Sequence, residues 1–277
     1  MVKTGVFQCR VPLHLLSSFF KLDCLYPQKR VLVLDLQLAP SKKTLILGPE
    51  ANTKVKLIVR KIELSLQYAE LEPTLRSKWY ESIEESNLTR VFPTYVSSHR
   101  RIKKGLKQEF LPALMPFGIL PDYISIVFMK ESMHVGNYQN TYCYKNNDVS
   151  SLKLYKDGIP HYLNQEFSGN VVKENTNLHY LWYNEYLKCY GSQAASVDTS
   201  RFYHDLFVFT FYLSAVPVTW EMDKNDDTPK LNLFTAGTID LEVTFAKAVP
   251  KNLIICAIGY RKEVASFNPD GEIVVSG

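Results

Sequence analysis

The chain has 277 residues, of which 46% are hydrophobic and 13% aromatic, and its formal net charge is only +4. This length is enough for one large domain or two smaller ones with buried cores, and the composition excludes a largely disordered chain. The mild charge is well short of what a dedicated nucleic-acid-binding domain carries.

Cysteine usage and the N-terminal sequence bear on the compartment. The five cysteines are odd in number and widely spaced, without a Cys-x-x-Cys pair, which argues against a disulfide framework or a zinc ribbon and favours a reducing compartment. The first residues contain no apolar segment of signal-peptide type, and no apolar run approaches the ~20 residues of a membrane helix. We therefore expect a protein that is not secreted through a signal peptide and has no membrane span.

The N-terminal part is predicted to contain three strands and a short helix. The strands are Val6–Val11, Val31–Leu38 and Val55–Tyr68. Pro73 suits the first turn of a helix that places Leu75, Trp79 and Ile83 on one face and ends near residues 86–87.

Residues 97–120 are interpreted as a flexible connector, because they combine a charge cluster with Gly105 and three prolines. The cluster has four cations within five residues: Arg100, Arg101, Lys103 and Lys104. Such a cluster suits contact with phosphates or with an acidic patch on a neighbouring subunit, although a solvated linker has the same composition.

The C-terminal part reads as a series of antiparallel strands. Five apolar runs are predicted as strands: Ile124–Met129, Ser151–Tyr155, Leu206–Tyr212, Thr238–Phe245 and Leu253–Tyr260. Turns are expected at Asn146–Asp148 and at Asp157–Gly158, the latter a frequent hairpin dipeptide. Strict alternation in Thr238–Phe245 predicts a sheet with one buried and one wet face.

Two further segments are distinctive. Leu178–Leu187 has a helical stripe of apolar residues and is predicted to form a short helix across the strands. Glu221–Pro229 is acidic and polar and is expected to be an exposed loop without the ligand spacing of a calcium site.

No motif supports catalysis or a cofactor. His134, His161, His179 and His204 lack metal-ligand spacing to one another, and there is no nucleophile elbow or glycine-rich phosphate loop. We therefore predict neither catalytic residues, metal nor cofactor. The aromatic residues around Tyr180–Tyr190 leave a non-enzymatic binding module for a glycan or a protein open as an alternative.

The order of several segments resembles the double jelly-roll major capsid proteins of Polinton or Maverick elements, adintoviruses and virophage-like relatives. The segments are Pro12–Leu15, Val55–Leu75, Val91–Tyr95, Leu120–Phe128, Gly136–Tyr138, Asn147–Pro160, Gly237–Phe245 and Ile254–Tyr260 with Val264.

This resemblance implies an all-β fold with two parts. Residues 1–105 would be a partial first jelly roll with a linking helix, and residues 106–277 a second jelly roll. The resembling residues begin inside the first roll, so that another chain supplying the opening strands, a shortened copy and a reduced first part all stay open.

The resemblance also implies a function. A capsid subunit self-associates into capsomers, which are trimeric in that family, contacts other capsid chains and resides in the virion after assembly inside the host cell. Nucleic acid would be bound at most weakly and without sequence specificity. The expected mechanism is burial of surface between copies, with no bond made or broken.

Overall fold

The structure is a computed structural model, which describes residues 10–11, 61–65, 70–85, 88–115, 120–134, 143–161, 163, 165–166, 172–194, 196–213, 237–267 and 273–276. The helices in these residues are α1 (Pro73–Glu85), α2 (Glu131–His134), α3 (Asn177–Tyr190) and α4 (Thr199–Asp205), with a 3₁₀ turn at Gly191–Ala194. The strands are β1 (Leu88–Ile102), β2 (Gln108–Leu111), β3 (Tyr123–Lys130), β4 (Val149–Lys156), β5 (Ile159–Pro160), β6 (Gln165–Glu166), β7 (Phe209–Tyr212), β8 (Ile239–Phe245), β9 (Leu253–Phe267) and β10 (Ile273–Ser276). None of the described helices is both long and apolar enough to cross a membrane.

The chain divides into two compact units. The first comprises Met1–Leu34, Leu64–Thr94 and Lys262–Gly277, and the second comprises Asp35–Glu63 and Tyr95–Arg261. In the first unit, α1 begins at Pro73 as the sequence predicts. Its Leu75 is 55% exposed, so the predicted apolar stripe is not fully covered. In the same unit β10 pairs antiparallel with the end of β9.

The second unit is a sandwich of two antiparallel sheets. Sheet A has the strand order β1-β9-β3-β7, and sheet B has the order β2-β8-β4-β5 with β6 also paired to β4. Strands β1 to β4 alternate between the two sheets, and the late strands β9 and β8 insert between the early ones. This nesting of two Greek keys is the jelly-roll arrangement, which confirms the predicted fold class of the C-terminal part.

The core lies between the two sheets. Phe128 of sheet A contacts Phe245 of sheet B edge to face, with ring centroids 6.0 Å apart, and both side chains are 1% exposed. The inward residues of β8 are buried and the intervening ones half-buried, as their alternation predicts. Both sheets therefore contribute to one hydrophobic cluster.

Tight turns join these strands where the sequence places them. Asp157 and Gly158 have φ values of 52° and 75°, which are the positive values of the type I′ hairpin turn between β4 and β5. Asn147 and Asp148 also have positive φ, immediately before β4. Asn and Asp tolerate this conformation better than most residues, so both predicted turns are confirmed.

Helix α3 covers the edge of sheet A formed by β7. Trp182 contacts Phe209 and Phe211 on the inner face, with ring centroids 5.0 and 5.2 Å away. Tyr190 at the other end of the helix reaches the outer face, where its hydroxyl lies 2.9 Å from Ser125 Oγ. The helix predicted at Leu178–Leu187 is thus confirmed, and it protects backbone groups that an open edge would leave unpaired.

Several sequence expectations are corrected by the structure or fall outside the described residues. The predicted connector at 97–120 contains regular structure, namely the end of β1 and all of β2. Residues 61–65, within the predicted strand Val55–Tyr68, form no strand, and Ile62 is 66% exposed there. The other predicted N-terminal strands and the acidic loop lie almost wholly outside the described residues, and the division of the chain at residue 105 stays a prediction.

Sheet A lacks the half-exposed pattern that β8 predicts for its own sheet. Residues on both faces of β3 are buried, including outward-facing Ser125 at 1% and Val127 at 3% exposure. Alternation is lost when both faces of a strand are covered, because neither face then needs polar side chains. The half-exposed pattern holds for sheet B.

Candidate functional site

The four cations predicted as a contact site lie at the end of β1 and in the turn that follows it. Arg100 and Arg101 are on the strand, whereas Lys103 and Lys104 are exposed in the turn. Arg100 Nη2 donates a hydrogen bond to the backbone oxygen of Ala113 at 3.1 Å. The arginine therefore links β1 to the segment after β2, and its guanidinium is used within the chain.

Arg101 is also engaged internally. Its Nε lies 2.9 Å from Oε1 of Glu131, and its Nη2 lies 3.0 Å from Oε2 of the same carboxylate. This two-bond geometry suits a guanidinium better than an ammonium group, because the planar fork matches the carboxylate. The positive charge of Arg101 is thereby largely compensated.

A small polar network continues from this ion pair. The side-chain amide of Asn252 donates to Glu131 Oε2 at 2.8 Å, and its oxygen accepts from the backbone N–H of Lys104 at 2.8 Å. The backbone N–H of Glu131 donates to the carbonyl of Asn252 at 3.0 Å. These bonds hold the β1–β2 turn, the end of β3 and the β8–β9 loop together.

Backbone hydrogen bonds extend this connection. Gly105 N–H donates to Val249 O at 2.8 Å, and Val249 N–H donates to Leu106 O at 2.9 Å. Phe245 N–H donates to the carbonyl of Lys107 at 2.8 Å. The turn at 103–107 and the loop at 246–252 therefore lie side by side at one end of the sandwich.

This pairing brings together lysines that are distant in sequence. We call the surface the basic end and define it by six exposed lysines: Lys103, Lys104, Lys107, Lys130, Lys247 and Lys251. Lys130 belongs to it because its position at the end of β3 pairs with Leu253, the first residue of β9. The sequence indicates only Lys103 and Lys104 as a contact site. It does not indicate the other four lysines, because pairing between segments that are distant in sequence brings them to this surface.

Few acidic groups offset these charges. Glu131 is paired with Arg101, and Asp148, whose backbone carbonyl oxygen accepts from Ala246 N–H at 2.8 Å, is an exposed carboxylate in the neighbouring turn. Val249, at the centre of the loop, is only 2% exposed. Among the described residues of the basic end, no large apolar side chain is exposed.

The histidines have structural roles where their contacts are described. His179 is buried; its Nδ1 accepts from Asn175 N–H at 3.0 Å, and its Nε2 lies 3.0 Å from the carbonyl oxygen of Thr199. It therefore fastens the start of α3 to the start of α4. His204 Nε2 lies 3.3 Å from Glu174 Oε1 at the surface.

The chemistry-bearing residues form no centre around these histidines. Within the described ranges, no three His, Cys, Asp or Glu residues are grouped to hold a metal ion. The Cys143 thiol lies 3.5 Å from Asp205 Oδ1, and burial together with that carboxylate raises its pKa, the opposite of what an activated nucleophile needs.

A cleft of about 340 Å³ lies at the β4–β5 hairpin. Its lining consists of Lys156, Asp157, Ile159, Pro160 and His161. Asp157 accepts a hydrogen bond from Thr238 N–H at 2.7 Å, and Lys156 Nζ donates to the carbonyl oxygen of Leu213 at 3.4 Å. The polar groups of the cleft thus fasten the hairpin to neighbouring segments.

The aromatic residues that suggested a ligand groove mostly belong to the core. Trp182 is fully buried, and Tyr183, Tyr186 and Tyr190 are half-buried with ring contacts to neighbouring aromatic side chains. Tyr180 is the exception, at 42% exposure.

No model of a known family matches the chain, and no curated protein matches it. Several solved structures are similar to it, among them VP54 of PBCV-1 and two viral major capsid proteins. VP54 of PBCV-1, fitted into a reconstruction of the virophage Sputnik, has 10% identity and a TM-score of 0.42 over 75% of this chain and 55% of that chain.

The mavirus major capsid protein has 9% identity and a TM-score of 0.35, over 68% of this chain and 41% of that one. The Faustovirus major capsid protein has 6% identity and a TM-score of 0.40, over 70% of this chain and 36% of that chain. The chain spans about half the length of the first of these structures, or less for the other two. At these values the description of the fold rests on the strand order itself.

Proposed function

We propose that this chain is a non-enzymatic structural subunit of a viral or element-encoded shell, which associates with copies of itself into capsomers. The sequence resemblance to double jelly-roll major capsid proteins supports this proposal, as does the jelly-roll strand order. Folds alone do not fix function, so the proposal needs a surface suited to association.

The observation that carries the proposal is the pair of edge strands on one side of the sandwich. Among the strands that the structure describes, β1 lies at one end of sheet A and β2 at one end of sheet B. Each carries an exposed aromatic side chain, Tyr95 at 63% and Phe110 at 53% exposure. Edge strands have unpaired backbone groups, and exposed aromatic residues are typical anchors of protein interfaces.

The physical mechanism is burial of these edges against other copies. Aromatic side chains contribute large apolar area, and closed rotational symmetry allows the same surface to be used by every copy. A trimer, other capsid chains as partners and residence in the virion are the specific forms that the resemblance suggests.

Replacing Phe110 with serine tests the proposal. We expect the variant to dissociate at protein concentrations at which the parent chain is associated, as measured by sedimentation velocity. Leu75→Ser is the matched control, because Leu75 is similarly exposed but lies on α1 rather than on an edge strand. Equal behaviour of both variants would argue against association through the edges.

A further inference from the structure

The basic end is a charged surface that the edge strands do not require. Its six lysines come from three separate segments, the β1–β2 turn, the end of β3 and the β8–β9 loop. The net charge of the whole chain is only +4, so this concentration of like charge is local. Like charges held together lower stability through mutual repulsion and suit an anionic partner.

The two arginines of the original cluster make contacts within the chain. Arg101 is paired with Glu131, and Arg100 is bonded to a backbone carbonyl. The remaining cations are all lysines, which act as point charges on flexible stems and lack the planar fork with which arginine pairs bidentately. A lysine surface therefore attracts phosphates without selecting a sequence.

The composition of the surface discriminates between classes of partner. Protein interfaces are depleted in lysine and anchored by aromatic or apolar side chains, and the described part of the basic end exposes no large apolar residue. The same lack of an apolar anchor disfavours a membrane surface, where polybasic segments act with a hydrophobic element. The observations favour a partner whose recognition is almost entirely electrostatic.

The shape of the surface also favours a partner that is recognised through its charge. The two sheets of a sandwich lie about 10 Å apart and neighbouring strands about 4.8 Å apart, so the end of the sandwich is a narrow platform. Such a platform meets the backbone of a duplex without needing to enter a groove. Phosphate contacts of this kind position a protein on nucleic acid but carry no sequence information.

We propose that the basic end binds the phosphate backbone of double-stranded nucleic acid without sequence specificity. The six lysines of the β1–β2 turn, the end of β3 and the β8–β9 loop contact the phosphates together. This inference does not depend on self-association, and a monomeric chain that binds duplex would support it while counting against the shell subunit.

The test measures binding of the full chain to a fluorescently labelled DNA duplex of random sequence by anisotropy at several salt concentrations. Six lysine contacts predict a slope of roughly −5 for log K against log salt, which is about a 1000-fold loss of affinity between about 50 and 200 mM. Replacing Lys104 and Lys251 with glutamine should make that slope shallower by about 2, because two phosphate contacts are lost.

The matched control replaces Lys78 and Lys173 with glutamine, since both are exposed and lie outside the basic end. We expect this pair to leave the slope unchanged. Absence of binding at low salt, or equal effects of the two pairs, would overturn the proposal. So would binding of phosphatidylserine vesicles that depends on Lys104 and Lys251 when the duplex is not bound.

Discussion

Arg101 and Glu131 form a two-bond ion pair across sheet A, from the end of β1 to the start of α2, with N–O distances of 2.9 and 3.0 Å. Through Asn252, the same carboxylate is linked to the backbone of the β1–β2 turn. The pair therefore helps to hold in place the β1–β2 turn that carries lysines of the basic end. Arg101 itself has a structural role there.

Replacing Arg101 with alanine should lower the free energy of unfolding by about 1 kcal/mol. The pair is partly exposed, at 54% and 30% for the two side chains, which limits its contribution. Urea denaturation measures the change. Lys103→Ala, in the adjacent turn, is the control and should stay within about 0.5 kcal/mol; an equal loss in both variants would contradict a structural role for the pair.

Gly259 on β9 lies close to the side chains of Met115 and Pro121. A Cβ at this position would lie 2.6 Å from Met115 Cε and 3.0 Å from Pro121 Cβ. We expect Gly259→Ala to destabilise the fold by about 1–3 kcal/mol through overpacking. Combining it with Met115→Ala should cost less than the sum of the two single changes, since the closest clash is then removed; strict additivity would exclude that clash as the cause.

Trp182 anchors α3 over the β7 edge. Its replacement by alanine should lower the free energy of unfolding by about 3–5 kcal/mol, because a fully buried indole ring is lost. Tyr180→Ala, two residues away on the same helix but 42% exposed, should cost less than about 1 kcal/mol.

Trp182→Phe keeps most of the apolar contact with Phe209 and Phe211 and should fold if the alanine variant does not. Chemical denaturation of the three variants should therefore rank Trp182→Ala as the least stable. Similar midpoints for the variants at Trp182 and Tyr180 would contradict the covering role of the helix.

His161 makes stability depend on pH. Burial lowers its pKa below the ordinary value of 6.5. The unfolded chain therefore binds a proton more readily than the folded one, so the stability from neutral His161 is complete above pH 6.5 and is lost as the pH falls through the lower folded-state pKa.

His161→Gln should reduce this dependence, as measured by urea midpoints between about pH 7 and 5. His204→Gln is the control, because His204 is exposed. A pH dependence that is unchanged by the substitution at His161 would show that other groups cause it.

The sequence predicts best those elements whose residue pattern depends on local features alone, such as the difference between a face toward the core and a face toward water. In β8, Ile239 and Leu241 alternate with Asp240 and Glu242 because one face meets the core and the other meets water. The Asp157–Gly158 turn was equally clear, because few residues accept positive φ.

Elements decided by distant contacts were predicted less well. Residues 97–102 have the charged composition of a linker. They form a strand because they pair with β9, which comes much later in the chain. The basic end was only partly visible, since Lys247 and Lys251 join Lys103 and Lys104 through hydrogen bonds between turns. Non-local pairing of this kind leaves no periodic signal in the sequence.

The most direct test of self-association is the mass of the chain in solution, measured by light scattering over a wide range of protein concentration. We expect species larger than the 31.8 kDa monomer, with a trimer among them, whose share rises with concentration. A mass of 31.8 kDa at every concentration would contradict self-association.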